Sequence, residues 1–291
     1  MTASTSRRDY AGAADFMSLL RFTQRVYTPD SRWHLGDIAW DLGLAPGGEP
    51  DSRMSFWARE GEIVGWGWLR LPSTLALLVD PSHTDRLVDE IGDWATEVAG
   101  APVSVGVLET EKELIEPLIR QGRQPGLPGH FFLNMQRELS NLPPVPHVPP
   151  GFTVRPVEPG DLSARAGLHR AVWTPALTDE IFAAISARWP YRRELDWVAV
   201  APDGQLVSYV LGWYDDVNRV GEFEPVGTLP QYRRRGLSRA VGISLLHAFR
   251  DAGAQRALVY ARGDDEYPIP RQTYAALGFR THGRVVQYHL P

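Results

Sequence analysis

The sequence contains no cysteine. This absence excludes disulfide bonds, thiol nucleophiles and cysteine-ligated metal sites. No stretch approaches the roughly 18 consecutive apolar residues that a membrane-spanning helix needs. The N-terminal segment MTASTSRRDYAGAADFMSLLRF has no apolar core followed by a small-residue cleavage site. We therefore expect a soluble cytoplasmic protein without a membrane partner.

An excess of basic residues is also missing, because 30 Lys and Arg stand against 35 Asp and Glu, a formal net charge of -5. Nucleic acids select basic surfaces, so we expect no nucleic-acid partner, and any anion has to be met by a local cluster of cations. No two of the eight histidines have the spacing of a metal site, and the serines lack a GxSxG setting. We therefore predict neither a metal ion nor an acyl-serine mechanism.

What is present is an ordinary globular composition, with 43% hydrophobic and 22% charged residues in a chain of 291. At roughly 100 to 200 residues per domain, this length favours two domains. The segment NLPPVPHVPPG after residue 140 carries five prolines and cannot form a helix. We predict a linker at residues 141–150 between a first domain, residues 1–140, and a second, residues 151–291.

Both halves show the same order of predicted elements. The first half reads as a hairpin, a strand, a helix, a strand and a helix ending at a glycine. The second repeats that order more strongly, with a Pro202–Gly204 turn between two strands and with Asp161 as a candidate N-cap. This order predicts a duplicated α/β domain with mixed sheets, although chance order in a mixed chain is the alternative.

The stretch TLPQYRRRGLSRA connects a predicted strand to a predicted helix through a glycine. Backbone N–H groups and the positive helix end converge on an anion in this geometry. Gly236 lets a backbone approach a phosphate closely, and the cations are Arg233, Arg234, Arg235 and Arg239. The nucleoside-triphosphate pattern GxxxxGK[ST] and the dinucleotide pattern GxGxxG are both absent, so neither of these ligands is supported. The alternative is a solvated basic turn.

Two segments carry a family resemblance. Residues Val226 to Ser238 resemble the acyl-CoA-binding signature of the GNAT N-acetyltransferase superfamily, with the core pattern Arg233-x-x-Gly236-x-Ser238. Downstream, TYAALGF resembles the Tyr-x-x-x-Gly-Phe ending of that superfamily. The resemblance is strong over residues 151–291 and extends to the first half only through element order.

The resemblance implies two tandem GNAT-like domains of α/β fold, each with a mixed sheet. It also implies a splayed pair of central strands between which the pantetheine arm of acetyl-CoA lies. Pro225 agrees with this on independent grounds, because a proline lacks the N–H that a continuous ladder needs. The implied acetyl-CoA contacts are the strand residues Val226, Gly227 and Thr228 and the loop residues Arg233, Arg234, Arg235, Gly236, Leu237, Ser238 and Arg239.

Acetyl transfer to an amine needs a base and benefits from an acid at the departing thiolate. Glu222 and Glu224 share one face of their strand, and crowding raises the pKa of one of two carboxylates. We take Glu224 as the base and Glu222 as its alternative, while either has the alternative role of binding an arginine or capping a loop. The resemblance implies that Tyr274 is the general acid; the other interpretation is a core tyrosine.

The first half departs from the signature. VDPSHTDRL has neither the glycine nor the arginine cluster, and QGRQ lacks the tyrosine and Gly-Phe. We therefore predict a degenerate copy that shapes the acceptor cleft, with its tryptophans in the core. In the second half, Trp173, Trp189 and Tyr191 are candidates for the acceptor pocket, and Tyr267 replaces an asparagine that many superfamily members carry.

Together these observations predict an N-acetyltransferase that uses acetyl-CoA as donor, with no metal. The predicted reaction is direct attack by the primary amine of a small molecule in a ternary complex. A non-catalytic acyl-CoA-binding regulator is the alternative, and transfer of a longer acyl group is a third possibility. We expect either a monomer, with its halves packed as a pseudo-dimer, or a homodimer.

Overall fold

The computed structural model describes residues 5–44, 52–126, 129–173 and 177–291. Within these residues, the strands are β1 (Ser6–Asp9), β2 (Ser52–Arg59), β3 (Glu62–Arg70), β4 (Thr74–Val79), β5 (Ser104–Leu108), β6 (Gln124–Gly126), β7 (Phe132–Glu138), β8 (Thr153–Pro156), β9 (Asp196–Val200), β10 (Leu206–Asp215), β11 (Val220–Thr228), β12 (Arg256–Arg262) and β13 (Arg280–His289). The helices are α1 (Ala13–Val26), α2 (Leu35–Leu44), α3 (Thr84–Ala99), α4 (Lys112–Arg120), α5 (Leu162–Val172), α6 (Asp179–Ser186), α7 (Leu237–Asp251) and α8 (Ile269–Ala276). None of the described helices is long and apolar enough to cross a bilayer.

All of these strands join one mixed sheet in the order β1-β2-β3-β4-β5-β13-β7-β12-β11-β10-β9-β8, with β6 paired to β13. The two halves therefore interlock through their last strands. β7 belongs to the first half of the sequence but pairs with β12 along its whole length. β13 pairs first with β7 and then with β5 and β6. Residues 141–150 form neither helix nor strand.

The predicted elements of the second half are present. The Pro202–Gly204 turn joins β9 and β10, and β11 follows directly. Asp161 is at the N-cap position of α5, as predicted. Its carboxylate does not bond to α5, however, but accepts the backbone N–H of Glu158 and binds Arg155.

The central strands splay as the family resemblance implied. β11 and β12 pair in parallel only from Val220 to Glu222, and they diverge beyond that point. On its other side, β11 pairs with β10, with a register shift between Val210 and Gly212. Pro225 lies opposite this irregularity, where the ladder is interrupted and its missing N–H costs no hydrogen bond. The divergence leaves a gap between β11 and β12.

Helix α7 fixes the loop that precedes it. Its buried face includes Leu237, Val241, Leu245 and Phe249, which pack in the largest apolar cluster of the second half. Because that face is anchored on β9 and β10, the first turn of α7 is held beside the open end of the gap.

The first half contributes two helices that the element order had not indicated. α1 and α2 precede the first long hairpin, and α2 packs against α6, β10 and β11 of the second half. The tryptophans of the first half are buried as predicted. Part of their cluster is shared with Trp213 of β10, so one apolar core spans the two halves here.

Candidate active site

The loop Arg233–Gly236, here called the arginine-glycine loop, and the first turn of α7 have the backbone form of an anion-binding site. This site is called the cradle below. Arg234 has φ 64° and Gly236 has φ 79°, so two left-handed residues turn the chain into α7. The N–H groups of Leu237, Ser238 and Arg239 lie in the first helical turn, where the helix offers them no acceptor. A Cβ added at Gly236 would meet no atom within 4 Å, so the approach to these donors is open. The diphosphate of acetyl-CoA fits this donor set.

The arginine side chains around the cradle are exposed, and no described carboxylate pairs with them. Arg233 donates from Nε to the carbonyl of Thr228 at 3.3 Å, and Arg235 donates from Nη2 to the carbonyl of Gln231 at 3.4 Å. The guanidinium of Arg235 also lies 5.3 Å from the ring centroid of Tyr232. Within the described parts of the chain, no carboxylate pairs with Arg233, Arg234, Arg235 or Arg239. Their charge is available to a ligand.

The free edge of β11 lines the gap with backbone groups. Leu229 N–H donates to Val207 O, and the carbonyl of Gly227 accepts the Ser208 hydroxyl, so Gly227 faces β10. The alternation of an antiparallel pair then turns the N–H and C=O groups of Val226 and Thr228 toward the gap. The Val226 carbonyl accepts the indole N–H of Trp173 at 3.1 Å.

Glu222 is 1% exposed, and its partners come from the first half. Its Oε2 lies 2.9 Å from Nδ1 of His34 and accepts the backbone N–H of Asp37 at 2.9 Å. A Cβ on Gly36 would collide with this carboxylate and with Trp213, so the close approach of α2 requires glycine at that position. Glu222 therefore accepts an N–H of the first turn of α2, whereas the alternatives left open by the sequence were an arginine bond or a loop cap.

Glu224 lies two residues further along β11 and is only half-buried. Burial and the charges of Glu222, Asp37 and Asp41 raise the pKa of Glu224 well above its usual value. Its side chain accepts no hydrogen bond from any described residue, while its backbone carbonyl accepts the indole N–H of Trp213. A carboxylate with a raised pKa and no fixed partner is suited to accept a proton.

Tyr274 approaches Glu224 from α8. Burial and the nearby Glu224 and Tyr209 raise the pKa of the phenol, so it remains protonated well above neutral pH. Its ring packs edge-on against Phe279 at 6.0 Å between centroids. Among the described residues, the hydroxyl has no hydrogen-bond partner. A protonated phenol and a carboxylate with a raised pKa thus lie at the same site.

A second polar pair lies beneath the gap and was not indicated by the sequence. The hydroxyl of Tyr209 lies 2.7 Å from Nδ1 of His169, and the Arg165 guanidinium stacks 3.6 Å from the centroid of the Tyr209 ring. Burial and the charges of Arg165 and Arg170 lower the pKa of His169 to about 4. The imidazole is therefore neutral at physiological pH.

The predicted acceptor-side residues have different surroundings. Trp173 is 56% exposed and Trp189 37% exposed. Tyr191 instead packs against Phe182 and Trp213 in an apolar cluster, so its predicted place in the pocket is not supported. Tyr267 is partly exposed, with the Arg262 guanidinium 5.9 Å from its ring centroid.

The first half also has a gap, between β4 and β5, but different groups lie beside it. β4 and β5 pair only at Thr74 and Leu75, and α3 begins at Thr84 without a left-handed glycine before it. The carboxylate of Glu111 accepts the backbone N–H groups of Leu108 and Arg32. Burial raises the pKa of Glu111 to about 7. In the first half, a carboxylate thus accepts hydrogen bonds from the backbone N–H groups next to the gap.

Comparisons with known proteins agree with this geometry. The acetyltransferase (GNAT) family pattern matches residues 165–279. The mycothiol acetyltransferase of Kytococcus sedentarius is 30% identical over 300 residues, covering 91% of this chain and 95% of the relative. That of Tsukamurella paurometabola is 29% identical over 235 residues, covering 75% and 78%.

Two solved structures share the fold over nearly the whole chain. A tandem GNAT protein from the clavulanic acid biosynthesis pathway has a TM-score of 0.65 at 16% identity, with 98% of both chains covered. A GCN5-related N-acetyltransferase from Sphaerobacter thermophilus has a TM-score of 0.62 at 21% identity, with 98% of this chain and 95% of that chain covered. The protein described here is therefore an acetyltransferase of the GNAT family, whose members use acetyl-CoA as donor.

Proposed function

We propose that residues 151–291 form the catalytic domain, which transfers an acetyl group from acetyl-CoA directly to the primary amine of a small molecule. The main support is the convergence of Glu224 and Tyr274 at the gap between β11 and β12, beside the cradle, whose arginines pair with no described carboxylate. Residues 1–140 then form a degenerate domain, joined by the linker at 141–150, that supports the active one.

In this proposal the cradle holds the diphosphate through the first-turn N–H groups of α7 and through the loop arginines. The gap-facing groups of Val226 and Thr228 hold the pantetheine arm. Both carbonyls are contacted by side chains in the structure, Val226 by Trp173 and Thr228 by Arg233.

The direction of each proton transfer follows from the protonation states of Glu224 and Tyr274. Glu224 takes a proton from the acceptor ammonium, directly or through water, so that the neutral amine attacks the thioester carbonyl. The new C–N bond forms and the C–S bond breaks. Tyr274 gives its proton to the departing sulfur, and the products are the N-acetylated acceptor and free CoA. The chain has no cysteine that could carry the acetyl group, which favours a ternary complex over an acyl-enzyme.

For the acceptor, we propose a mycothiol-related small-molecule amine. The support is the name shared by the Kytococcus and Tsukamurella relatives. The acidic groups near Glu224, among them Asp37 and Asp41, favour a cationic amine over an anionic acceptor.

Replacing Tyr274 by Phe is expected to lower kcat about 100-fold, in the range of one lost general-acid contribution, while acetyl-CoA binding is retained. Thiol release from acetyl-CoA in the presence of an amine panel that includes mycothiol-related amines measures kcat, and calorimetry measures binding. Tyr288→Phe is the matched control, since that buried tyrosine lies on β13 against the first half. Wild-type protein that binds acetyl-CoA but acetylates no amine would support the regulator instead.

A further inference from the structure

The N-terminal end of α2 reaches across from the first half to the carboxylate of Glu222. His34 and Glu222 are each 1% exposed. Nδ1 of His34 lies 2.9 Å from Oε2 of Glu222, and the same oxygen accepts the backbone N–H of Asp37. Two residues that are 188 positions apart in the sequence thus form one buried pair beneath β11.

A proton has to lie between these two atoms, because a bare ring nitrogen and a bare carboxylate oxygen repel each other at this distance. The pair is enclosed, since Nε2 of His34 and Oε1 of Glu222 have no partner among the described residues. Although burial disfavours the charged ring, the hydrogen bond and the charge of Glu222 raise the pKa of His34 above its usual value. The bonded ring therefore holds its proton to higher pH than a free imidazole does.

His34 also fixes the helix that brings it there. The carboxylate of Asp37 accepts the backbone N–H of His34 at 2.9 Å. This bond and the one from Asp37 N–H to Glu222 close the first turn of α2 around the Glu222 carboxyl group. The other charged and titratable groups that face the pair are Tyr27, Arg32, Asp37, Asp41, Asp215 and Glu224.

We propose that His34 is a positioning residue of the acetyl-transfer site, through which the first half holds Glu222 behind Glu224. The consequence is that the Glu222 carboxyl group, whose charge raises the pKa of Glu224, is bonded to α2 of the first half. This inference rests on the proposed function, in which Glu224 is the base. It gives the degenerate half a direct part in the chemistry of the other half.

The pH dependence of kcat/KM tests this assignment. Without its histidine, Glu222 becomes a bare buried carboxylate near Glu224, and a like charge at this range raises a carboxyl pKa by about one unit. His34→Asn is therefore expected to move the acidic limb of the profile up by about one pH unit. Glu222→Gln is expected to move the limb down, since it removes a like charge that raises the pKa of Glu224. The double variant then matches Glu222→Gln.

Folding and binding controls accompany these profiles. Thermal unfolding and acetyl-CoA titration show whether His34→Asn retains the fold and the cradle. His247→Asn is the matched control, because His247 is a half-buried structural histidine bonded to the carbonyl of Pro143. It is expected to leave the acidic limb unchanged. A limb that does not move in His34→Asn, or a shift that persists in the double variant, overturns the inference.

A second measurement does not depend on turnover. In protein with 15N-labelled histidines, the His34 resonances are expected to change when Glu222 is replaced by Gln, while those of His247 stay in place. Because the hydrogen bond to Glu222 raises the pKa of His34, the wild-type ring is expected to stay protonated to higher pH than the ring of the Glu222→Gln protein. A His34 ring that titrates alike in both proteins overturns the pair. Absence of any acetyl transfer by the wild type would instead count against the proposed function.

Discussion

Glu224→Gln is expected to lower kcat/KM by about 100- to 10,000-fold, the range of a general base held in place. The reason is that a side-chain amide at this position cannot accept a proton from the acceptor ammonium. Steady-state rates of thiol release at saturating acetyl-CoA measure the loss. Calorimetric affinity for acetyl-CoA is expected to stay within about threefold of the wild type, since Glu224 lies away from the cradle.

The pH profile supplies the sharper part of this prediction. Burial raises the pKa of Glu224, so its neutral form persists to higher pH than in an ordinary carboxyl group. The base is active only when ionised, and kcat/KM of the wild type therefore rises with pH through that raised pKa. The Glu224→Gln profile is expected to lack this limb.

Glu222→Gln is the matched comparison, because it makes the same chemical change two residues earlier in the same strand. Its carboxyl group is already bonded to His34 and to the N–H of Asp37. We expect the acidic limb to survive in this variant and the rate to fall less than in Glu224→Gln. If the rate falls more in Glu222→Gln than in Glu224→Gln, Glu222 is the base.

Replacing Arg235 by Glu together with Gly236 by Asp is expected to weaken acetyl-CoA binding more than about 100-fold. That factor corresponds to losing one or two charge-assisted hydrogen bonds. Arg235 is exposed and unpaired by any described carboxylate, so its charge contributes to ligand attraction and not to an internal ion pair. Gly236 has φ 79°, where a side chain is disfavoured, and an aspartate there would place negative charge at the helix end that attracts anions.

The control for this variant is Arg250→Glu, at the other end of the same helix. Arg250 is an exposed arginine that contacts the adjacent Asp251. Calorimetric titrations of the variant and the control should separate a local effect at the cradle from a general effect of charge. If the wild type, the variant and the control bind acetyl-CoA with equal affinity, the arginine-glycine loop is a solvated turn and not an anion-binding site.

Much of the site could be predicted because it is encoded locally. The strand, the arginine-glycine turn and the helix that follows occupy one continuous stretch, and their patterns of turn and apolar residues are short-range signals. Tyr274 could be proposed as the acid because it lies in a recognisable local segment. Strand periodicity likewise placed Glu222 and Glu224 on one face of β11.

The remaining features depend on contacts that no local pattern contains. Strand periodicity could not distinguish Glu222 from Glu224, because the difference comes from His34 and Asp37 on a helix of the other half. The interlocking of β7 and β13 is equally non-local, since an isolated strand pattern does not specify its partner. The His169–Tyr209 pair joins α5 to β10 and has no sequence signature either.

The measurement that most directly tests the central claim is a calorimetric titration of the wild-type protein with acetyl-CoA. The second half has the cradle and the open gap, whereas Glu111 takes up backbone donors beside the corresponding gap of the first half. We expect binding of one equivalent, which the Arg235→Glu, Gly236→Asp variant abolishes. Binding of two equivalents would contradict the degenerate first half, and no binding would contradict the assignment of the cradle and the gap as the acetyl-CoA site.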